Sequence, residues 1–196
     1  QISRLKEMGI HPDHIDGNNH IHIFPGIASL VGRLAKDFGI RCIRLPRERF
    51  PMHSFRPHLF KKVLIGFLSR KAETIFKSRG LRYTDHFAGL QFPVVSNLRS
   101  LQSFLNDLCE GTTELMCHPG HLDRSEVADP RLLAYHDWEG ELATLTDPRA
   151  RALLEERGIR LIGYRHLAPG NGPPAAHPPA PPPACGPPAS ADATAP

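Results

Sequence analysis

The chain has 196 residues, 40% hydrophobic and 22% charged, which is ordinary for a globular protein and enough for one domain plus a tail. The net charge is +4, and four scattered cysteines without a CxxC pair give no sign of a disulfide scaffold or a zinc ribbon and suit a reducing, cytoplasmic setting. The apolar runs are far too short to cross a bilayer and no secretory signal is visible, so no membrane partner is expected.

Taken in chain order, Ile2–Met8 reads as the end of a helix capped by Gly9, and a start without Met suggests a piece of a longer chain. His14–Ile23 reads as a strand, because His20, Ile21, His22 and Ile23 alternate with a period of two. Pro25-Gly26 opens a helix that Gly39 closes. Ile40–Leu45 is a strand stopped by Pro46. Pro57–Ser78 carries apolar residues at helical spacing until Gly80, and Leu81–Phe87 is a strand with Asp85 and His86 near its end. Asn97–Leu108 is a helix, and Thr113–Cys117 is a strand running into His118-Pro119-Gly120. Pro130–Tyr135, Trp138–Leu145 and Pro148–Arg157 are helical, and Ile159–Tyr164 is the last strand. Residues 169–196 hold eleven of the twenty prolines, lack the apolar content to fold and read as a disordered tail. Residues 1–168 therefore form one α/β unit. Alternating strands and helices imply a parallel sheet, either open or closed into a barrel by further strands.

Parallel α/β folds place their sites at the carboxyl ends of strands, and every expected strand here ends in polar residues. Imidazoles interleaved with isoleucines have no place in a solvated loop or a plain core strand, so His14, Asp16, His20 and His22 point to a metal or acid–base site. His118 is delivered at a strand end and exposed there by Pro119-Gly120. Asp85 could orient a catalytic His, bind a substrate hydroxyl or cap a turn. Arg44 could hold a carbonyl or an anion, with Glu48 as an alternative salt-bridge partner. A basic stretch from Arg44 to Lys71 lacks aromatics at stacking spacing, so nucleic acid is not an expected partner. No nucleophile elbow, P-loop, GxGxxG or HExxH is present, which leaves metal-assisted hydrolysis as the chemistry that these groups suit.

The segment His14-Ile15-Asp16-Gly17-Asn18-Asn19-His20-Ile21-His22-Ile23-Phe24-Pro25-Gly26 resembles the HxDxHxHxH signature of the YdjC-like carbohydrate deacetylases. Arg44-Leu45-Pro46-Arg47-Glu48, Gly80–Asp85, Glu114–Gly120 and Gly158–Arg165 resemble further family segments in the same order. The resemblance covers about residues 1–168 and implies the C-terminal part of a distorted (β/α) barrel whose N-terminal strands are missing. It implies a divalent metal, most often magnesium with zinc as the other choice, and hydrolysis of N-acetyl groups on amino sugars such as chitooligosaccharides. In that reading the substrate is an acetylated amino sugar, a homodimer is one expected assembly, and His118 (general acid) and Asp16 are the catalytic residues. Arg44 and Asp85 face substrate, and His20, His22 and Asn18 are the metal ligands. The family's Asp-Asp motif and Gly-x-His segment are not in this chain, and the family's other His ligand falls at Asn18. The metal site is therefore expected to be incomplete and the chain by itself inactive. The alternative is a sugar-binding or regulatory relative that has lost the metal.

Overall fold

The computed structural model describes residues 1–48, 59–90 and 94–167. Among the described residues four short strands carry the fold: β1 (His14–Ile15), β2 (Cys42–Ile43), β3 (His86–Ala88) and β4 (Thr113–Leu115). β1 pairs in parallel with β2, and β3 pairs in parallel with β4, with Phe87 opposite Glu114. Parallel bridges from Cys42 to Arg82 and from Glu48 to Phe87 join the two pairs, so the strands follow one another in chain order. The expected parallel α/β class is what forms. Among the described residues the ladder is open, and closure into a barrel is not seen.

Local signals set the helices. α1 (Ile2–Glu7) precedes β1, and in α2 (Pro25–Phe38) Pro25 occupies the first turn and Gly39 closes the helix at φ 71°, in the left-handed region that glycine enters without a Cβ penalty. α3 spans Leu59–Ser78 and packs across α2. A Cβ on buried Gly32 would stand 2.5 Å from Arg79 Cδ, so glycine there lets the arginine stem lie against α2. The α2–α3 core is built from Ile23, Ala28, Ala35, Ile43, Leu68, Ala72 and Phe76. α4 (Leu98–Asn106) begins with a capping box in which Asn97 and Ser100 satisfy each other's amides. α5 (Pro130–Tyr135), α6 (Trp138–Thr146) and α7 (Pro148–Glu156) each start at an aspartate whose carboxylate accepts a first-turn N–H. Ala150 of α7 joins Val95, Leu101 and Leu105 in a second core beside β4.

Two expected strands are corrected. Only His14 and Ile15 of the 14–23 run pair in a ladder; residues Asn18–Ile23 curl into 3-10 turns with Asn19 and His20 at φ 51° and 59°. The cause is local. Gly17 and two asparagines favour turning, and the Gly17 N–H donates to His22 Nδ1 at 3.0 Å, closing the loop with a side chain instead of a neighbouring strand. His20, His22 and Ile23 are buried while Ile21 is half exposed, the reverse of an apolar face with imidazoles at its rim. At 159–164 no strand forms either. Ile159 folds back onto Leu154 O, Leu161 stands exposed, and Tyr164–Leu167 is a 3-10 turn in which His166 closes onto Gly163. The expected tail at 169–196 lies outside the described residues.

Candidate active site

Asp16 follows β1, Arg44 follows β2 and Glu114 sits on β4, so three chain-distant residues reach one edge of the sheet. The Arg44 guanidinium lies between the two carboxylates. Nη1 donates to Asp16 Oδ2, while Nε and Nη2 reach Glu114 Oε1 at 2.6 and 2.5 Å. Glu114 Oε2 accepts the Tyr164 hydroxyl. Burial works against the charge on Arg44, but Glu114 and then Asp16 more than offset it and raise its affinity for the proton. Burial and the Glu114 carboxylate push the Tyr164 phenol far above its usual range, so it stays a donor. The Arg44 Cζ stands 5.6 Å from the centre of the Phe87 ring, which also meets His20 edge-on at 5.8 Å. Both edges of the guanidinium and one face are therefore occupied. This geometry makes Arg44 a clamp between carboxylates, where the sequence suggested an anion or substrate contact. The Glu48 carboxylate instead accepts the amides of Gly89 and Leu90 at 3.0 and 3.4 Å.

The histidines of the curl differ from one another. His22 is 1% exposed, accepts the Gly17 N–H at Nδ1 and donates from Nε2 to Arg44 O at 2.9 Å. Burial lowers its pKa, opposed by the Arg44 carbonyl and by Asp16, whose Oδ1 lies 3.8 Å away. A neutral ring with both nitrogens on backbone groups ties the curl to β2 and has no lone pair left for a metal. His14 stacks on Tyr164 at 4.1 Å with planes 10° apart and donates to Asp13 at 2.7 Å. The carboxyl group of Asp13 is held below its usual range by that hydrogen bond. Asn18 faces a shallow, mostly apolar hollow with Asn19, Ile21, Phe24 and Ile27.

β4 stops at Leu115, short of the expected Cys117, and His118 follows just beyond its carboxyl end, where a second cluster gathers around it. Its backbone N–H donates to Oε2 of Glu141, a residue only 2% exposed. Its ring meets the His136 ring at 4.8 Å and 66°, and His136 in turn stacks on Trp138 at 4.9 Å and 23°. Burial, followed by the charge of His118, lowers the His136 pKa, with Glu141 opposing. Burial and then Glu141 push the neighbouring Cys117 thiol up to about 11. Asp85 is engaged elsewhere. Its Oδ2 accepts the Thr112 N–H and hydroxyl, both at 2.8 Å, and these bonds hold its carboxyl below the usual range. The arrangement is that of a turn cap.

The two clusters share β3 and β4 as their base, and the connection runs from Phe87 through Glu48 to Leu90, whose carbonyl accepts the Tyr135 hydroxyl at 2.8 Å. A divalent metal does not fit the donors as they stand. Asp16 is held by Arg44, His22 by backbone, and Asn18 lines the outer hollow. Among the described residues no three His, Cys, Asp or Glu side chains converge on a point that could hold an ion. Sequence reasoning did not single out Glu114, Tyr164, Glu141 or His136. A carboxylate inside the apolar strand Thr113–Cys117 was a visible signal for Glu114; nothing in the sequence marks Glu141. No described helix is long and apolar enough to cross a membrane.

Residues 1–156 match the family model described as YdjC-like protein. A carbohydrate deacetylase of Mus musculus is 32% identical over 201 residues, covering 89% of this chain and 63% of that protein. A carbohydrate deacetylase of Geobacillus stearothermophilus is 30% identical over 167 residues, covering 85% and 56%. A chitooligosaccharide deacetylase of Klebsiella pneumoniae is 30% identical over 174 residues, covering 85% and 58%. The chain spans about three fifths of the length of these relatives.

Proposed function

The chain belongs to the YdjC-like protein family, and on that footing we propose that it acts in the hydrolysis of N-acetyl groups on amino sugars, as a carbohydrate deacetylase. The observation that carries the reading is His118, which stands at the carboxyl end of β4 on a backbone pinned by the buried carboxylate of Glu141. Removing an acetyl group from an amine requires a proton for the departing nitrogen, and a fixed imidazole can donate one near neutral pH. Asp16 is the carboxylate of the opposite cluster; the Arg44 clamp orients it and keeps a positive charge beside it. In this reading Asp16 receives or orients a proton on the water side of the amide and His118 delivers one on the amine side.

Metal dependence belongs to the same proposal, but no step is routed through an ion, because the donors on this chain do not converge on one. Binding of magnesium or zinc, measured by calorimetric titration, tests it. Stoichiometric uptake supports metal dependence with ligands rearranged from Asp16, Asn18 and His20, and uptake of neither ion removes it. The relatives carry deacetylase names, which favours the catalytic reading over a non-catalytic sugar-binding one. The decisive experiment is acetate release from N-acetylated chitobiose, with His118→Ala beside the unsubstituted protein. It is run on this chain and on the longest natural chain that contains it. Loss of most turnover in the variant supports the assignment, and undiminished turnover removes His118 from the reaction.

A further inference from the structure

His136 has no role in the chemistry above, yet among the described residues its ring is the one that meets His118. It enters from the turn between α5 and α6 and meets three aromatic groups: the His118 ring at 4.8 Å and 66°, the Trp138 ring at 4.9 Å and 23°, and the Tyr135 ring at 4.8 Å and 87°. Each neighbour is itself fixed. The Tyr135 hydroxyl donates to Leu90 O at 2.8 Å, and the Trp138 carbonyl accepts the Gly120 N–H at 3.1 Å. The backbone of His118 is held independently by Glu141, one turn further along α6. A buried carboxylate is costly unless it is hydrogen-bonded, and the His118 N–H is the bond that Glu141 makes here. Main chain and ring of one imidazole are therefore restrained from two sides by the α5–α6 segment, about twenty residues away in sequence.

We propose that His136 is a positioning residue for His118: its ring, wedged between Trp138 and His118, sets the direction of the His118 imidazole, while Glu141 sets the backbone from which that imidazole projects. The inference rests on His118 being the proton donor of the proposed deacetylation. What it adds is a dependence on ring shape. Proton donation tolerates little misplacement, since an error of about 1 Å at a reacting group costs on the order of a hundredfold in rate. A wedge acts through its face and not through its proton, so phenylalanine should substitute for histidine at this position and alanine should not.

The test has a kinetic arm and a spectroscopic arm, both on the full chain. His136→Ala should lower kcat by about tenfold or more with KM within twofold, because orientation and not affinity is lost. His136→Phe should recover most of kcat. In the spectroscopic arm, nuclear Overhauser contacts between the rings of residues 118 and 136 report the geometry without turnover, so they remain informative if the deacetylase reading fails. They should be present in the unsubstituted protein and in His136→Phe. Hydrogen exchange at the His118 amide should quicken about tenfold or more in Glu141→Ala and stay near the unsubstituted rate in Glu141→Gln, which keeps an acceptor oxygen. Full kcat in His136→Ala alongside loss of activity in His118→Ala overturns the proposal. So does absence of the ring–ring contacts in the folded protein.

Discussion

Replacing Glu114 by leucine should destabilise the fold at the carboxyl edge of the sheet. The carboxylate side chain is 11% exposed and that of Arg44 is 18%, so the pair lies largely out of water. The substitution removes two charge-assisted bonds to Arg44 and the acceptor of the Tyr164 hydroxyl. Breaking a fully buried pair from one side costs about 3–5 kcal/mol, because it strands the remaining charge. Asp16 still holds Nη1, so part of that charge stays compensated and a loss of about 2–3 kcal/mol is expected. For a domain of this size the midpoint of thermal unfolding should fall by about 4–12 °C. Urea unfolding followed by the fluorescence of Trp138, the single tryptophan, measures the change directly. Arg44→Met combined with Glu114→Leu should recover only part of the loss, since the guanidinium is no longer stranded but Asp16 and the Tyr164 hydroxyl have lost their partners. A single variant within about 0.5 kcal/mol of the unsubstituted protein would refute the clamp as a stabilising element, because that is the range of an ordinary surface substitution.

Stability should depend on pH through His22. Burial depresses its pKa below 6.5 in the folded state, so the unfolded chain binds a proton that the folded chain resists. Its contribution is complete above about pH 6.5 and is lost as pH falls through the window beneath that value; His136 acts in the same direction. His22→Gln should flatten the fall in urea midpoint between pH 7.5 and 5, and an unchanged slope would contradict a buried neutral ring. Gly89→Ala should cost at least about 1 kcal/mol, because φ there is +106° and the new Cβ would stand 2.5 Å from Met116 O. Equal stability of that variant in chemical denaturation would show that the β3–β4 approach is looser than described. Cys117, raised to about 11, should resist alkylation at pH 8 in the folded protein and react after unfolding, as peptide mapping by mass spectrometry would show.

The sequence alone determined what depends on a few neighbouring residues. Pro25 and Gly39 delimit α2, Asn97 with Ser100 begins α4, Asp147-Pro148 begins α7, and the alternation of strand and helix signals fixes a parallel α/β class. It also placed His118 at a strand end, since an apolar run followed by Pro-Gly has one outcome for the residue between them. The period-two pattern of His20–Ile23 misled, because a strand needs a partner ladder. Gly17 instead offered its amide to the ring of His22, and that bond won. Which side chains meet at the sheet edge was decided by tertiary structure alone. Arg44 finds Asp16 across 28 residues and Glu114 across 70, and His118 finds Glu141 across 23. Such pairings follow from how distant strands and helices stack, and a charged residue in isolation reads the same in sequence whether it caps a turn, clamps a carboxylate or faces a substrate.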